Sequence, residues 1–324
     1  MTKAIRIHEQ GTPDAMKWED IDVGDPGAGE IRIRHSAVGL NFIDCYHRSG
    51  LYPLAKLPAD LGMEGAGVVE AIGDGVTGLA VGQRVVYAQP MGSYCEERLM
   101  PAERAVALPD AITDKTAAAM MLQGTTVEYL IRRTYPVKSG DTVVFHAAAG
   151  GVGLIACQWL KHLGATVIGT VGSDEKAELA KANGCDHPIV YTRDNFTEKV
   201  KELTDGAGVP VVFDSIGKDT FTASLGCLRP RGMLVSFGSA SGNVDAFGLG
   251  ELMSRGSLYV TRPSLMSYVA SRQELVDSAA ALFDVVQGGQ VKITVNQTYP
   301  LAEAAQAHRD LEGRKTTGST VLEP

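Results

Sequence analysis

Aromatic residues are scarce in this sequence: 10 Tyr, 8 Phe and 2 Trp stand among 324 positions. Cysteines are fewer still. The five, Cys45, Cys95, Cys157, Cys185 and Cys227, are odd in number and widely spaced. That argues against a disulfide scaffold or a clustered-cysteine metal module, and for reduced thiols in the cytoplasm. Blocks of positive charge are missing too. The 30 Lys and Arg are dispersed among 38 Asp and Glu, for a formal net charge of −8, so no footprint for nucleic acid or anionic lipid is expected. The most apolar stretch, residues 142–160, is interrupted by His146 and several glycines and does not read as a membrane span. The first six residues, Met1 to Arg6, hold no signal-peptide core. Internal repeats and low-complexity linkers are also lacking.

Glycine is what the sequence has in plenty, 37 residues, beside ordinary globular shares of hydrophobic (44%) and charged (21%) residues. Tight turns and close backbone contacts follow. The length suits two domains. Over the first hundred residues, apolar and polar side chains alternate in segments 4–8, 16–23, 30–40, 62–72 and 81–88, which predicts half-buried strands in a partly closed barrel. Helices are expected at 114–122 and 125–135, the second stopped by Pro136. Strand candidates then follow at 141–146, 166–170, 189–191, 209–214, 233–237 and 258–261, separated by helices near 151–163, 174–183, 195–204 and 221–228. This alternation predicts a doubly wound parallel sheet. A long helix (267–286), a strand (291–299), a helix (302–311) and a last strand (319–322) would overfill that sheet. They are expected to return to the first domain, with boundaries near 124 and 264.

The run Thr142-Val143-Val144-Phe145 leads into Ala147-Ala148-Ala149-Gly150-Gly151-Val152-Gly153 and then a helical segment. In that strand–turn–helix setting, small residues admit a pyrophosphate and the helix N-terminus supplies N–H donors and positive potential. Gly153 permits close helix–strand packing. Ala148 stands where the usual fingerprint has glycine, so the motif is a variant. An NAD site usually carries a carboxylate at the end of the second strand; here Gly172 and Ser173 stand there, followed by Asp174, Glu175 and Lys176. The missing acid leaves room for a 2′-phosphate that Lys176 would neutralise and Tyr191 would hydrogen-bond, favouring NADPH.

The order of the domains, the run His146 to Gly153 and the run Gly62-Met63-Glu64-Gly65-Ala66-Gly67-Val68-Val69 resemble the medium-chain dehydrogenase/reductase superfamily. Zinc enzymes of that superfamily carry Cys and His ligands where this chain has Asn41 and Met63, and a four-cysteine zinc lobe that this chain lacks. The segments Asn41-Phe42-Ile43-Asp44, Tyr46, Arg48, Ser49 to Pro53, and Tyr259 to Ser264 are similar to the zinc-free quinone oxidoreductases, the group that includes zeta-crystallin. The resemblance implies an α/β fold in which a doubly wound parallel Rossmann sheet (125–264) is inserted in a GroES-like, mostly β catalytic domain (1–124 and 265–324). It also implies no metal.

Its implied activity is hydride transfer from NADPH to a quinone, an acceptor electrophilic enough to react without a Lewis acid, given hydrogen-bond donors for the arriving charge. The candidate donors are Asn41, Tyr46, Tyr52 and Tyr129, with Arg262 as a cationic contributor. By position in the family, Asn41 reaches the nicotinamide ribose, and Phe42, Ile43, Tyr129 and Ser264 are further cofactor contacts. Gly151 and Val152 face the pyrophosphate within the cofactor-binding turn Gly150 to Gly153, and Gly172, Ser173, Lys176 and Tyr191 the adenosine side. Ser215, Phe237 and Gly238 end later strands at the crevice, and Arg314 also touches the dinucleotide. His146 and His47 read as packing or surface residues. Alternative functions are an NADPH-dependent reductase of activated alkenes (enals or enones), or a cofactor-binding protein without turnover, as among the lens crystallins. A homodimer through the edge strand near 258–261 is expected.

Overall fold

A computed structural model describes residues 2–324 of the chain. It divides into two compact units, one made of Met1–Gln123, Ser271–Gln287 and Ile293–Pro324, the other of Gly124–Ala270 and Gly288–Lys292. The chain opens with strands β1 (Thr2–Ile7), β2 (Met16–Ile21) and β3 (Glu30–Leu40), then helix α1 (Phe42–Ser49). Next come β4 (Ala59–Asp60), β5 (Glu64–Ile72), β6 (Arg84–Tyr87), β7 (Glu97–Pro101), β8 (Val106–Ala107), α2 (Asp114–Ala118) and α3 (Met121–Tyr129). The second unit runs β9 (Thr142–Phe145), α4 (Gly151–His162), β10 (Thr166–Val171), α5 (Asp174–Ala182), β11 (His187–Val190), α6 (Phe196–Leu203) and β12 (Val209–Asp214). It continues with α7 (Phe221–Gly226), β13 (Leu228–Ser236), α8 (Gly250–Ser254), β14 (Tyr259–Thr261) and α9 (Leu265–Tyr268). Then α10 (Arg272–Gln287), β15 (Val295–Pro300), α11 (Ala304–Glu312) and β16 (Ser319–Glu323) end the chain.

In the first unit, β3 is the organising strand. It pairs with β5, β7 and β16, and lies in a seven-stranded sheet of order β15-β16-β3-β5-β6-β8. Strands from both ends of the sequence therefore share one sheet. Its register against β5 shifts between Arg32 and Ile33 and again between His35 and Ala37. Such irregularities change which side chains face inward. Ile31 and Ile33 accordingly pack in one core with Val69, Val85 and Met100, whereas Val38 and Leu40 pack in another with Ile5, Leu61 and Leu322. One long strand thus serves two cores.

The second unit holds six parallel strands in the order β11-β10-β9-β12-β13-β14. The chain winds outward from β9 through β10 to β11, then crosses to β12 and winds the other way. Ligands of such sheets bind at the carboxyl ends of the strands where this reversal occurs, here between β9 and β12. Every residue of β12 is buried, as expected for a central strand covered on both faces.

Three expected helices are interrupted or altered. The segment expected as one helix over 267–286 forms α9 and α10, because Ser271 starts a new helix. Its Oγ accepts the Glu274 N–H at 3.2 Å, and its own N–H donates to Glu274 Oε2 at 3.0 Å. This reciprocal Ser-x-x-Glu box begins a helix and separates it from what precedes. The expected helix 114–122 stops at Ala118, and the Leu122 N–H, within the first turn of α3, donates to Glu64 Oε1 at 2.8 Å. The expected helix 125–135 ends in a wider π-helical turn over Leu130–Thr134, a local form recurrent near functional sites.

Candidate active site

At the switch point of the second unit, β9 ends at Phe145 and the chain enters the glycine-rich turn. Gly150 is the N-cap of α4, and no side chain caps this helix. The first N–H groups of a helix have no partner inside it, so they are available to an anion. A Cβ on Gly153 would stand 2.2 Å from the Ala147 carbonyl oxygen and 2.7 Å from the Ala148 backbone. Only glycine lets the helix approach the preceding strand this closely.

The ends of the neighbouring strands β10 and β12 lie on either side of that turn. Ser173 caps α5, its Oγ accepting the Lys176 N–H at 3.3 Å. The Tyr191 hydroxyl would be 3.1 Å from a Cβ on Gly172, so Gly172, Ser173, Lys176 and Tyr191 come together after β10 and β11. A cation the sequence reading missed joins them: exposed Arg193 pairs with Asp174 at 3.1 Å. Gly238 packs on the Ser215 backbone, and Phe237 lies 5.7 Å from Phe145, ring to ring. Arg262 donates to the Ser236 carbonyl at 2.8 Å and to Ser239 Oγ at 3.2 Å, so its guanidinium braces the end of β13. Tyr129 is buried and stacks on Tyr268 at 4.4 Å, while Ser264 is the N-cap of α9. The strand-end groups converge after β9, β10, β12 and β13; Tyr129 and Tyr268 form a separate pair.

In the first unit, Asn41 is the N-cap of α1 and its carboxamide is held at both ends. Its Nδ2 donates to Glu64 Oε2 at 2.8 Å, and its Oδ1 accepts from Gln123 Nε2 at 3.2 Å. Gln123 is itself fixed by the Ser319 hydroxyl at 2.8 Å. Glu64 fits only because Gly39 has no side chain; a Cβ there would stand 2.4 Å from Glu64 Oε2. On the other side, the Asn41 N–H and the Tyr94 hydroxyl both donate to Asp44 Oδ2, at 2.8 and 3.0 Å. The Tyr94 oxygen also lies 3.0 Å from His308 Nε2, and His308 Nδ1 is 3.4 Å from Cys45 Sγ. Asp44, Glu64 and His308 are all fully buried.

Burial dominates the ionisation of this cluster. It pushes the Asp44 carboxyl up to about 7, against the opposing effect of the Asn41 N–H. Glu64 rises to about 8 for the same reason, against the Asn41 side chain. His308 falls to about 3 through burial and then the nearby Arg48 guanidinium. The site therefore has two carboxyls that hold protons close to neutrality and a histidine that stays neutral.

Phe42 and Ile43 open α1 beside Asn41. The Phe42 and Tyr46 rings lie 6.3 Å apart, and those of Tyr46 and Tyr52 5.1 Å apart. The structure thus gathers Asn41, Phe42, Tyr46 and Tyr52 around one helix. Arg314 stands exposed in the loop after α11, with φ 58°. Asp44, Tyr94, Gln123 and His308 were not singled out from the sequence. The Asn-x-x-Asp spacing of a helix start was a usable signal for Asp44. Nothing local pointed to His308, 263 residues from Cys45.

A parallel dinucleotide-binding sheet together with a β-rich unit of this topology defines a medium-chain dehydrogenase/reductase. The family described as alcohol dehydrogenase GroES-like domain matches residues 27–137, and that described as zinc-binding dehydrogenase matches residues 151–283. The chain is 52% identical over 325 residues to the quinone oxidoreductase of Pseudomonas aeruginosa, with all of both chains covered. It is 49% identical over 331 residues to the 2-haloacrylate reductase of a Burkholderia species, covering 100% of this chain and 99% of the relative. Among solved structures, Escherichia coli quinone oxidoreductase complexed with NADPH aligns with a TM-score of 0.98 at 47% identity, over 99% of this chain and 100% of that one. The chain belongs to the quinone oxidoreductase family.

The zinc named in one of these family descriptions does not fit the residues present. Asn41 spends both ends of its amide on Glu64 and Gln123, and an amide or the buried Met63 thioether is a poor zinc ligand. Among the described residues, no three or more His, Cys, Asp or Glu are grouped to hold a metal.

Proposed function

We propose that this protein is an NADPH-dependent quinone reductase that works without a metal. The observation that carries the reading is the full-length similarity, at about half of all positions, to quinone oxidoreductases, one of them solved with NADPH. Three features of the chain support it: the uncapped N-terminus of α4, the close approach at Gly153, and the absence of a carboxylate at Gly172. Gly150, Gly151, Val152 and Gly153 hold the pyrophosphate; Ser173, Lys176 and Tyr191, with Arg193, hold the 2′-phosphate. Ser215, Phe237 and Gly238 line the crevice, and Phe42, Ile43, Tyr129, Ser264 and Arg314 complete the cofactor contacts. When bound, NADPH supplies a hydride.

The chain's own part is to orient the acceptor and stabilise the charge that arrives on its oxygen. Asn41 is suited to this. Glu64 takes one amide hydrogen and fixes the rotamer, leaving the second hydrogen for a substrate oxygen. Tyr46 and Tyr52 provide aromatic surface for a flat ring, with hydroxyls as further donors. Arg262 acts by bracing the strand end.

Mixing the protein with NADPH and para-benzoquinone tests the reading. Rapid NADPH consumption that requires the quinone supports it, and none across a quinone series contradicts it. Titration with NADPH and NADH, repeated on Lys176→Ala, tests the phosphate site: that variant should lose most of its preference for NADPH, and unchanged selectivity would remove Lys176 from the site. A second reading, reduction of activated alkenes, rests on the 49% identity to 2-haloacrylate reductase.

No helix among the described residues is long and apolar enough to cross a membrane, and all five cysteines are free and buried. Both support a cytoplasmic setting. Strand β14 lies at the edge of its sheet with Tyr259 59% exposed, in a segment where Leu249 and Met253 are more exposed still. Open apolar edges are commonly covered by a second copy, which supports a homodimer.

A further inference from the structure

Behind the glycine-rich turn, the second unit buries a hydrogen-bonded chain of side chains that belongs to none of the proposed contacts. His146, 1% exposed, follows β9 directly. Its Nδ1 lies 2.7 Å from Thr170 Oγ1, on β10, and its Nε2 lies 2.9 Å from Ser224 Oγ, on α7. Ser224 donates in turn to Asp214 Oδ2 at 3.1 Å, at the end of β12.

The direction of the chain is fixed by its far end. Asp214 accepts from the Ile216 and Gly217 N–H groups through Oδ1, at 2.7 and 3.1 Å, and from the Thr220 and Ser224 hydroxyls through Oδ2. With its proton committed to Asp214, Ser224 must accept from His146 Nε2–H. The other ring nitrogen then accepts from Thr170. A neutral Nε2–H imidazole satisfies every link, and burial holds the ring toward neutrality, against the pull of Asp214.

The placement of the links points to a role. His146 immediately precedes Ala147, where the glycine-rich turn begins at φ 54°. Thr170 stands two residues before Gly172, and Asp214 immediately before Ser215. His146, Thr170 and Asp214 therefore each stand beside a different segment proposed to contact the dinucleotide, and Ser224 joins His146 to Asp214. A buried chain with all its members satisfied holds one arrangement and resists others. We infer that Thr170, His146, Ser224 and Asp214 are positioning residues that keep these three segments in mutual register and thereby set the affinity for NADPH. The inference rests on the proposed dinucleotide site.

Thr170→Val keeps the shape of the side chain and removes only the donor to His146; Thr170→Ser restores that donor. The expected result is a rise of fivefold or more in Kd and KM for NADPH in Thr170→Val, with kcat at saturating NADPH within twofold, and near wild-type binding in Thr170→Ser. Equal binding by all three proteins overturns the inference, and so does a Thr170→Ser as weak as Thr170→Val. Should Thr170→Val not fold, nitrogen NMR of the unaltered protein decides. A neutral Nε2–H tautomer for His146 supports the chain, and an Nδ1–H tautomer or a charged ring at neutral pH overturns it. Failure of the unaltered protein to bind NADPH would instead overturn the cofactor reading beneath it.

Discussion

Asn41 carries the chemical argument at the smallest scale, and its environment makes the consequences of changing it concrete. Asn41→Ala removes the proposed donor and leaves Glu64 and Gln123 each short of a partner. Removing one donor from a charge-stabilising site costs about two orders of magnitude in kcat, and an orphaned buried polar group costs about 1–3 kcal/mol of stability. Quinone reduction by this variant is expected to fall by roughly that factor, measured alongside a thermal melt. A variant that melts lower but keeps full kcat would leave Asn41 a structural residue. Gly153→Ala is the counterpart in the other unit. Its methyl group would stand 2.2 Å from the Ala147 oxygen, so the turn must shift and NADPH binding, followed by titration, should weaken tenfold or more.

Which residues were legible follows from how local their signals are. The glycines announce themselves by type and spacing within a few positions, whereas Asn41 stands out only through the resemblance, at the place where zinc relatives carry a cysteine ligand. Arg262 was singled out for its charge, yet its hydrogen bonds to Ser236 and Ser239 give it a bracing role that charge alone does not reveal. His308 and Gln123 are invisible to local reading, because their partners are distant in sequence: Cys45 and Tyr94 for His308, Asn41 and Ser319 for Gln123.

Among the elements, the parallel sheet was the most legible, since short apolar runs alternate with helical patterns and β12 occupies the expected 209–214. Helix continuity was not. Apolar periodicity runs across Ser271 without a break, and what divides the segment is the reciprocal bonding of Ser271 and Glu274. Ser271→Ala should therefore destabilise α10 by about 1 kcal/mol, the usual worth of such a cap, read as a lower melting temperature with unchanged NADPH affinity. No change in melting would mean the cap does not decide where α10 begins. Edge strand β14 makes the prediction for assembly. Light scattering is expected to give a dimer mass, and a charged residue in place of Tyr259 should shift it toward the monomer. A monomeric mass for the unaltered protein would contradict that use of the edge.

For the molecule as a whole, the buried ionisable groups set how stability depends on pH. His35, His308 and His146 have native values depressed below the ordinary 6.5, the first to about 4 and the second to about 3, with burial the leading cause. Their unfolded forms bind protons first, so the stability they contribute is present above about pH 6.5 and is lost as pH falls. Asp44 and Glu64 act in the opposite sense. Their native values of about 7 and about 8 lie above those of the unfolded chain, so stability is lost as pH rises, by up to about 1.4 kcal/mol per pH unit for each group. Between pH 6.5 and 8 the histidine contribution is complete and the carboxyl contribution is still falling. The melting temperature should drop across that window, and the drop should shrink in Glu64→Gln. An equal drop in that variant would show that Glu64 does not hold the proton.

Acceptor choice is where the proposed function is most exposed, because relatives of almost equal identity carry the names quinone oxidoreductase and 2-haloacrylate reductase. The decisive measurement is kcat/KM with NADPH for para-benzoquinone against 2-chloroacrylate and an alkenal, under identical conditions. The proposed metal-free site, with Asn41 and the Tyr46–Tyr52 pair orienting a flat electrophile, predicts a clear preference for the quinone, undiminished by a chelator. A clear preference for either alkene, or an activity that falls on chelation and returns with zinc, would contradict it.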